Sequence, residues 1–118
     1  MRRGRRAEDA VVNWLTRQGY EVLGRNVRIG HNEIDVLARL GDAVVVVEVR
    51  HRGAGSWLGP FESIDPAKRG RVRAAAQRLW DERFEADRTV RRLRFDVAAV
   101  RFDAADEPIV EYVVGVDW

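Results

Sequence analysis

The chain contains no cysteine. That excludes disulfides, thiolate nucleophiles and cysteine-ligated metals, and it fits a reducing cytoplasm. Histidine is nearly as scarce, with two residues, which argues against a structural zinc site. Lysine occurs once, at Lys68, so arginine takes almost every other cationic position. No apolar run approaches the roughly 20 residues of a membrane-spanning helix. The opening Met1-Arg2-Arg3-Gly4-Arg5-Arg6 is not followed by the uncharged apolar stretch of a secretory signal. There is no internal repeat, linker or low-complexity segment. What remains is 118 residues, 46% of them apolar, enough for one domain over 1–118 around a single core. The expectation is a cytoplasmic protein with no membrane partner.

Net charge is only +2, but its distribution is uneven. Arginines gather at Arg2, Arg3, Arg5 and Arg6, at Arg69, Arg71 and Arg73, and at Arg88, Arg91, Arg92 and Arg94. Acids collect near the end, at Asp103, Asp106, Glu107, Glu111 and Asp117. Separated basic patches are the footprint of a protein that grips a phosphate backbone. On charge alone, an arginine-rich solvated surface is an equally good account.

Ala7 to Gln18 has helical periodicity and stops at Gly19, the usual position for a left-handed terminator. Val11, Val12 and Leu15 form its apolar stripe. Glu8 precedes them by three, four and seven residues and shares their face, although a first-turn acid also serves the helix dipole. Tyr20 to Ile29, Glu33 to Arg39 and Ala43 to Arg50 read as strands. His51 to Phe61 is a glycine-rich loop bearing Trp57 and Phe61, aromatics that stack on bases or anchor the loop to the core. Asp65-Pro66 opens a second helix as N-cap and first residue. That helix runs to about Ala86 with Val72, Ala75, Ala76, Leu79 and Phe84 inward. Lys68 lies four residues before Val72 on the same face, from which it snorkels outward or reaches toward the strands. Arg92 to Phe102 and Ile109 to Val114 are two further strands. The order α-β-β-β-α-β-β predicts an α/β domain, bordering on α+β, with one mixed sheet flanked by helices.

Two of these strands carry charges that a sheet does not ordinarily want. Leu40-Gly41-Asp42-Ala43 is a hairpin signal, and with Gly41-Asp42 at its tip the paired residue numbers sum to 83. Asp35 then opposes Glu48, and Glu33 opposes Arg50. Alternation puts Glu33 and Asp35 on one face with Ile34 and Val36 on the other, and puts Glu48 and Arg50 together. Glu33 with Arg50 makes an ordinary cross-strand ion pair. Asp35 and Glu48 do not, since two carboxylates about 5 Å apart repel by about 3 kcal/mol at an effective dielectric near 20. A cation between them, or a proton on one, relieves the repulsion. A divalent metal with oxygen ligands is the simplest candidate.

The spacing Asp35…Glu48-Val49-Arg50 resembles the PD-(D/E)XK nuclease motif. More closely, the chain resembles the YraN-like family of uncharacterised, endonuclease-like bacterial proteins. The resemblance is carried by Gly4…Ala7-Glu8…Ala10…Leu15, Gly19-Tyr20, Arg25-Asn26…Arg28, Glu33-Ile34-Asp35 and Val47-Glu48-Val49. It continues through Arg52, Gly59-Pro60…Glu62-Ser63-Ile64, Lys68 and Arg94-Phe95-Asp96-Val97-Ala98-Ala99-Val100. It implies a restriction-endonuclease-like fold related to Holliday-junction resolvases, which act as homodimers. It also implies Mg²⁺ or Mn²⁺ held by Asp35 and Glu48, with Glu8 as a supporting acid, Glu33 at the rim, and Arg50 and Lys68 as catalytic cations.

The substrate so implied is DNA in branched or structured form, as in repair or recombination, with Arg28, Arg52, Arg69 and Arg73 as phosphate contacts. Two positions depart from the pattern. The family usually has glycine before Glu-Ile-Asp where this chain has Asn32, and asparagine tolerates the positive φ of a turn. Arg50 stands where the motif has lysine; it stays protonated and cannot act as a base. A metal-dependent DNA endonuclease is therefore the first expectation. A catalytically silent nucleic-acid-binding module on the same fold is the alternative, and a structural protein with Asp35 and Glu48 in a buried ion network is a third.

Overall fold

The computed structural model describes residues 2–51 and 66–116. Arg52, Trp57, Phe61 and the N-cap Asp65, all singled out above, lie outside the described residues. Helix α1 spans Arg2–Arg17 and begins earlier than its apolar stripe suggests. It ends in a Schellman arrangement: Gly19 has φ +91, its N–H donates to Thr16 O, and the Tyr20 N–H donates back to Leu15 O at 2.9 Å.

Strands β1 (Glu21–Ile29), β2 (Asn32–Leu40) and β3 (Ala43–His51) follow as two hairpins. Each turn puts a glycine with φ near +60, Gly30 and then Gly41, at its first central position, the demand of a type II′ turn. Gly30, not Asn32, therefore supplies the positive φ before Glu-Ile-Asp; Asn32 is already the first residue of β2. Helix α2 (Pro66–Leu79) returns the chain to β4 (Arg92–Phe102), and β5 (Pro108–Val113) closes the order. Between Leu79 and β4 the helix widens into a π-turn over Trp80–Phe84, so helical structure continues toward Ala86 in altered form.

The sheet runs β1-β2-β3-β4-β5. Only β3 and β4 are parallel, and a parallel pair needs the crossover that α2 provides. The fold is an α/β domain with a single mixed five-stranded sheet and flanking helices, as the order of elements predicts. β3 sits in the middle, and Val44 to Val47 are buried on both faces, which explains an unbroken valine run where a half-exposed strand would alternate. Val45 and Val47 join Val11 and Leu15 under α1. Val44 and Val46 join Val72, Ala76 and Leu79 under α2.

Two irregularities bear on the carboxylates. The β2–β3 ladder keeps the predicted register from Leu40↔Ala43 to Val36↔Val47 and is not paired beyond it. On the other side, Arg25↔Val36 and Val27↔Ile34 hold one register with Asn26 and Asp35 unpaired between them, the ladder's register shift lying between Val22 and Gly24, and Asn26 has φ +49. Ile34 belongs to the α2-side cluster and Val36 to the α1-side cluster. Strict alternation, expected to keep those two together, breaks at Asp35.

A second network, on β4 beside Val47, ties β4 to β5 and α1. Asp96, fully buried, accepts both Arg94 Nε at 2.9 Å and Arg94 Nη2 at 2.8 Å. It also accepts Tyr112 Oη at 2.6 Å and the Gly115 N–H at 2.9 Å. Arg94 Nη2 donates further to Tyr20 Oη, and Tyr112 stacks on Trp14 with centroids 4.3 Å apart. Four donors on one carboxylate satisfy a charge that would otherwise be prohibitive in a core. Burial, then the hydrogen bond to Asp96, keeps the Tyr112 phenol protonated far above its usual range.

Candidate functional site

Asp35 leaves the ladder where β2 and β3 stop pairing, and its side chain replaces the missing backbone partner. Asp35 Oδ2 accepts the Val49 N–H at 2.9 Å. Glu48, one residue earlier on β3, is only 2% exposed. Among the described residues, its Oε1 has no hydrogen-bond partner. The group standing against it is the Lys68 ammonium from the first turn of α2, a charge-to-charge ion pair. Lys68 therefore reaches the strands rather than snorkelling away from them.

The two carboxylates sense each other. Burial, reinforced by the negative charge of Glu48 and a hydrogen bond with its carboxyl, pushes Asp35 up to about 7 from an ordinary 3.8. The Val49 N–H and the Lys68 charge act in the opposite direction and are outweighed. The strained couple inferred from pairing arithmetic is thus present, although side-chain geometry rather than a ladder position brings it together.

An open cleft of about 280 Å³ reaches Asp35 of the pair and Lys68, the partner of Glu48. His31, Asn32, Glu33 and Asp35 line it from the hairpin side, and Lys68 and Arg71 line it from α2. Glu33 does stand at the rim, but its partner is Arg28 and not Arg50. The two face each other in the β1–β2 register, with Arg28 Nη1 3.6 Å from Glu33 Oε2. Arg50 is half-buried near the end of β3, opposite Ala99 of β4.

Glu8 meets β1. Its Oε1 accepts Asn26 Nδ2 at 3.1 Å and lies 3.6 Å from Arg25 Nη2. Asn26 is the left-handed residue across from Asp35 in the β1–β2 register, and it is this residue that Glu8 holds. Arg69 and Arg73, one helical turn apart, border a second groove of about 290 Å³ with Pro66 and Gly70. Sequence reasoning did not single out His31 and Arg71 for the site. Arg71 was findable, since it follows Lys68 by three residues and shares its face.

Among the described residues, no group of three histidine, aspartate or glutamate side chains is set to hold a metal ion. Two carboxylates are nonetheless a suitable half-shell for Mg²⁺, which keeps several waters and relies on one or two protein carboxylates plus substrate phosphates. Glu48 Oε1, which carries the Lys68 ion pair and has no hydrogen-bond partner among the described residues, and Asp35 are the oxygen donors such an ion would use.

Comparison with known proteins agrees with the sequence. The chain is 51% identical over 110 residues to a UPF0102 protein of Sorangium cellulosum, covering 93% of this chain and 76% of that one. It is 37% identical over 113 residues to a UPF0102 protein of an Arthrobacter species, covering 96% and 93%. Among solved structures, SfsA of Pyrococcus furiosus in complex with Ca²⁺ aligns with a TM-score of 0.49 and 14% identity, over 98% of this chain and 64% of that one. Residues 7–100 match the UPF0102 family directly, and the chain belongs to this uncharacterised protein family, the YraN-like group that its motifs resemble.

Proposed function

We propose that the chain is a metal-dependent nuclease hydrolysing phosphodiester bonds in DNA, with Mg²⁺ or Mn²⁺ as cofactor. The observation that carries the reading is the Asp35–Glu48 pair, two carboxylates brought together against their mutual repulsion beside an open, cation-lined cleft. Glu48 has Lys68 as its base, but Asp35 has none among the described residues, unlike Asp96 with Arg94. The arginines add support. Arg6, Arg25, Arg28, Arg78, Arg92, Arg94 and Arg101 each have an acidic partner. On α2, Arg71 at the cleft and Arg69 and Arg73 at the second groove have none among the described residues. Unneutralised charge is what a polyanion binds.

In this reading Asp35 and Glu48 hold the ion, which supplies a bound water of lowered pKa and polarises a phosphoryl oxygen. The Val49 N–H keeps the Asp35 carboxylate oriented, and burial fixes Glu48. Lys68 and Arg71 line the space where a phosphate would sit and offset its developing charge. Arg50 contributes a permanent positive charge and no proton transfer. Arg69 and Arg73 hold flanking phosphates.

The test is cleavage of duplex, flap, single-stranded and four-way DNAs with Mg²⁺ or Mn²⁺. Cleavage abolished in Asp35→Ala and Glu48→Ala is expected, and cleavage persisting in both would sink the proposal. Arg50 favours a second reading, a binding module without catalysis. It predicts salt-sensitive binding and no cleavage by any variant, with Arg69→Ser and Arg73→Ser together lowering the slope of log affinity against log salt by about 2.

A further inference from the structure

We infer that Lys68 is an exchangeable counter-ion: its ammonium occupies the place on Glu48 that a divalent cation needs, and cation binding releases it into the phosphate cleft. The inference rests on the metal reading above and adds a coupling to it.

A carboxylate as deeply buried as Glu48 needs a cation beside it to stay ionised at low cost. Oε1 has no hydrogen-bond partner among the described residues, and Lys68 is the ion-pair partner it has. An ammonium and a divalent ion on that oxygen repel each other, so binding of one weakens the other's hold.

Lys68 is built to leave. Its side chain is 36% exposed, it swings on four methylenes, and it already lines the cleft beside Arg71. Residue choice points the same way. In a chain that otherwise uses arginine, this position alone carries lysine. A compact ammonium stands on one carboxylate oxygen much as a metal ion does, whereas a guanidinium fork would grip the carboxylate in two places and resist exchange.

Loading the cation then frees a positive charge at the surface where a phosphate arrives. Cation and phosphate favour each other's binding, and reciprocity requires each to raise the other's affinity by the same factor.

Being the only lysine, Lys68 can be watched alone. Protein labelled with ¹³C and ¹⁵N in lysine gives a single side-chain resonance, followed during Mg²⁺ titration while calorimetry records the heat. The resonance is expected to move to the position of a solvent-exposed lysine with the midpoint of the heat. Lys68→Met is expected to bind Mg²⁺ about tenfold more tightly, and Lys68→Gln to change in the same direction, with melting curves confirming that both fold. Heat that Asp35→Ala abolishes, with an unmoved lysine signal or with unchanged or weaker affinity in both variants, overturns the exchange and leaves the metal reading standing. No heat from wild type or variants overturns both. Heat from Lys68→Met alone supports the exchange in its strongest form.

Discussion

Replacing Asp35 by asparagine keeps an oxygen for the Val49 N–H and removes one of two adjacent negative charges. The folded protein holds the Asp35 proton up to about 7, against 3.8 for the ordinary group. Between those values the folded chain binds a proton that the unfolded chain has released. Stability from this group is therefore complete below about pH 4 and is lost as pH rises through about 7. The full interval corresponds to roughly 4 kcal/mol at pH 8. Asparagine returns part of it, because its amide needs solvation, so we expect Asp35→Asn to be about 2 kcal/mol more stable than wild type at pH 8. For a domain of this size that is a rise in Tm of roughly 8 °C. At pH 5, where Asp35 is already protonated, the two should melt within about 2 °C of each other. Thermal denaturation at the two pH values, with and without Mg²⁺, is the assay. Mg²⁺ should raise the wild-type Tm at pH 8 and leave the variant unmoved. A variant less stable than wild type at pH 8, or the same difference at both pH values, refutes the claim that the carboxylates are in conflict.

Asp96→Ala leaves Arg94 buried without its carboxylate and should cost about 3–5 kcal/mol, read as a lower urea midpoint with no change in Mg²⁺ affinity. A loss under about 1 kcal/mol would show that water already serves the network. Gly30→Ala puts a side chain at φ +61, with the new Cβ 2.8 Å from Arg78 Nη1. The guanidinium can swing away, so the expected cost is the backbone strain of about 1–2 kcal/mol, and Arg78→Ala in the same chain should not relieve it.

The order of elements was legible because each signal was local: Gly19 after a helical stripe, Gly41-Asp42 between two strands, four valines in a row. The hairpin sum of 83 was legible for the same reason, since a two-residue turn dictates register. Glu33 was misplaced opposite Arg50 because that sum assumes pairing beyond Val36–Val47. There Asp35 takes up the Val49 N–H, and β1 offers Arg28 to Glu33 instead. Asparagine tolerates the left-handed region, but nothing local shows that Asn26 adopts it or that its side chain meets Glu8, eighteen residues earlier. The Asp96 network was illegible in the same way, since nothing near Arg94 points to Tyr20 or Tyr112. The π-turn at Trp80–Phe84 was not legible, since its residues suit an ordinary helix equally well.

Asp96 also imposes an order in time. Its carboxylate sits mid-strand in β4, yet two of its donors, Tyr112 and Gly115, lie sixteen and nineteen residues downstream. Until those two arrive, Asp96 has only Arg94 of its own strand beside it. Its hydrogen bonds are complete only once the stretch from Tyr112 to Gly115 packs against β4. Clipping the tail after folding should reverse that step, so proteolysis just past β5 would unfasten β4 before it disturbs the carboxylate cleft.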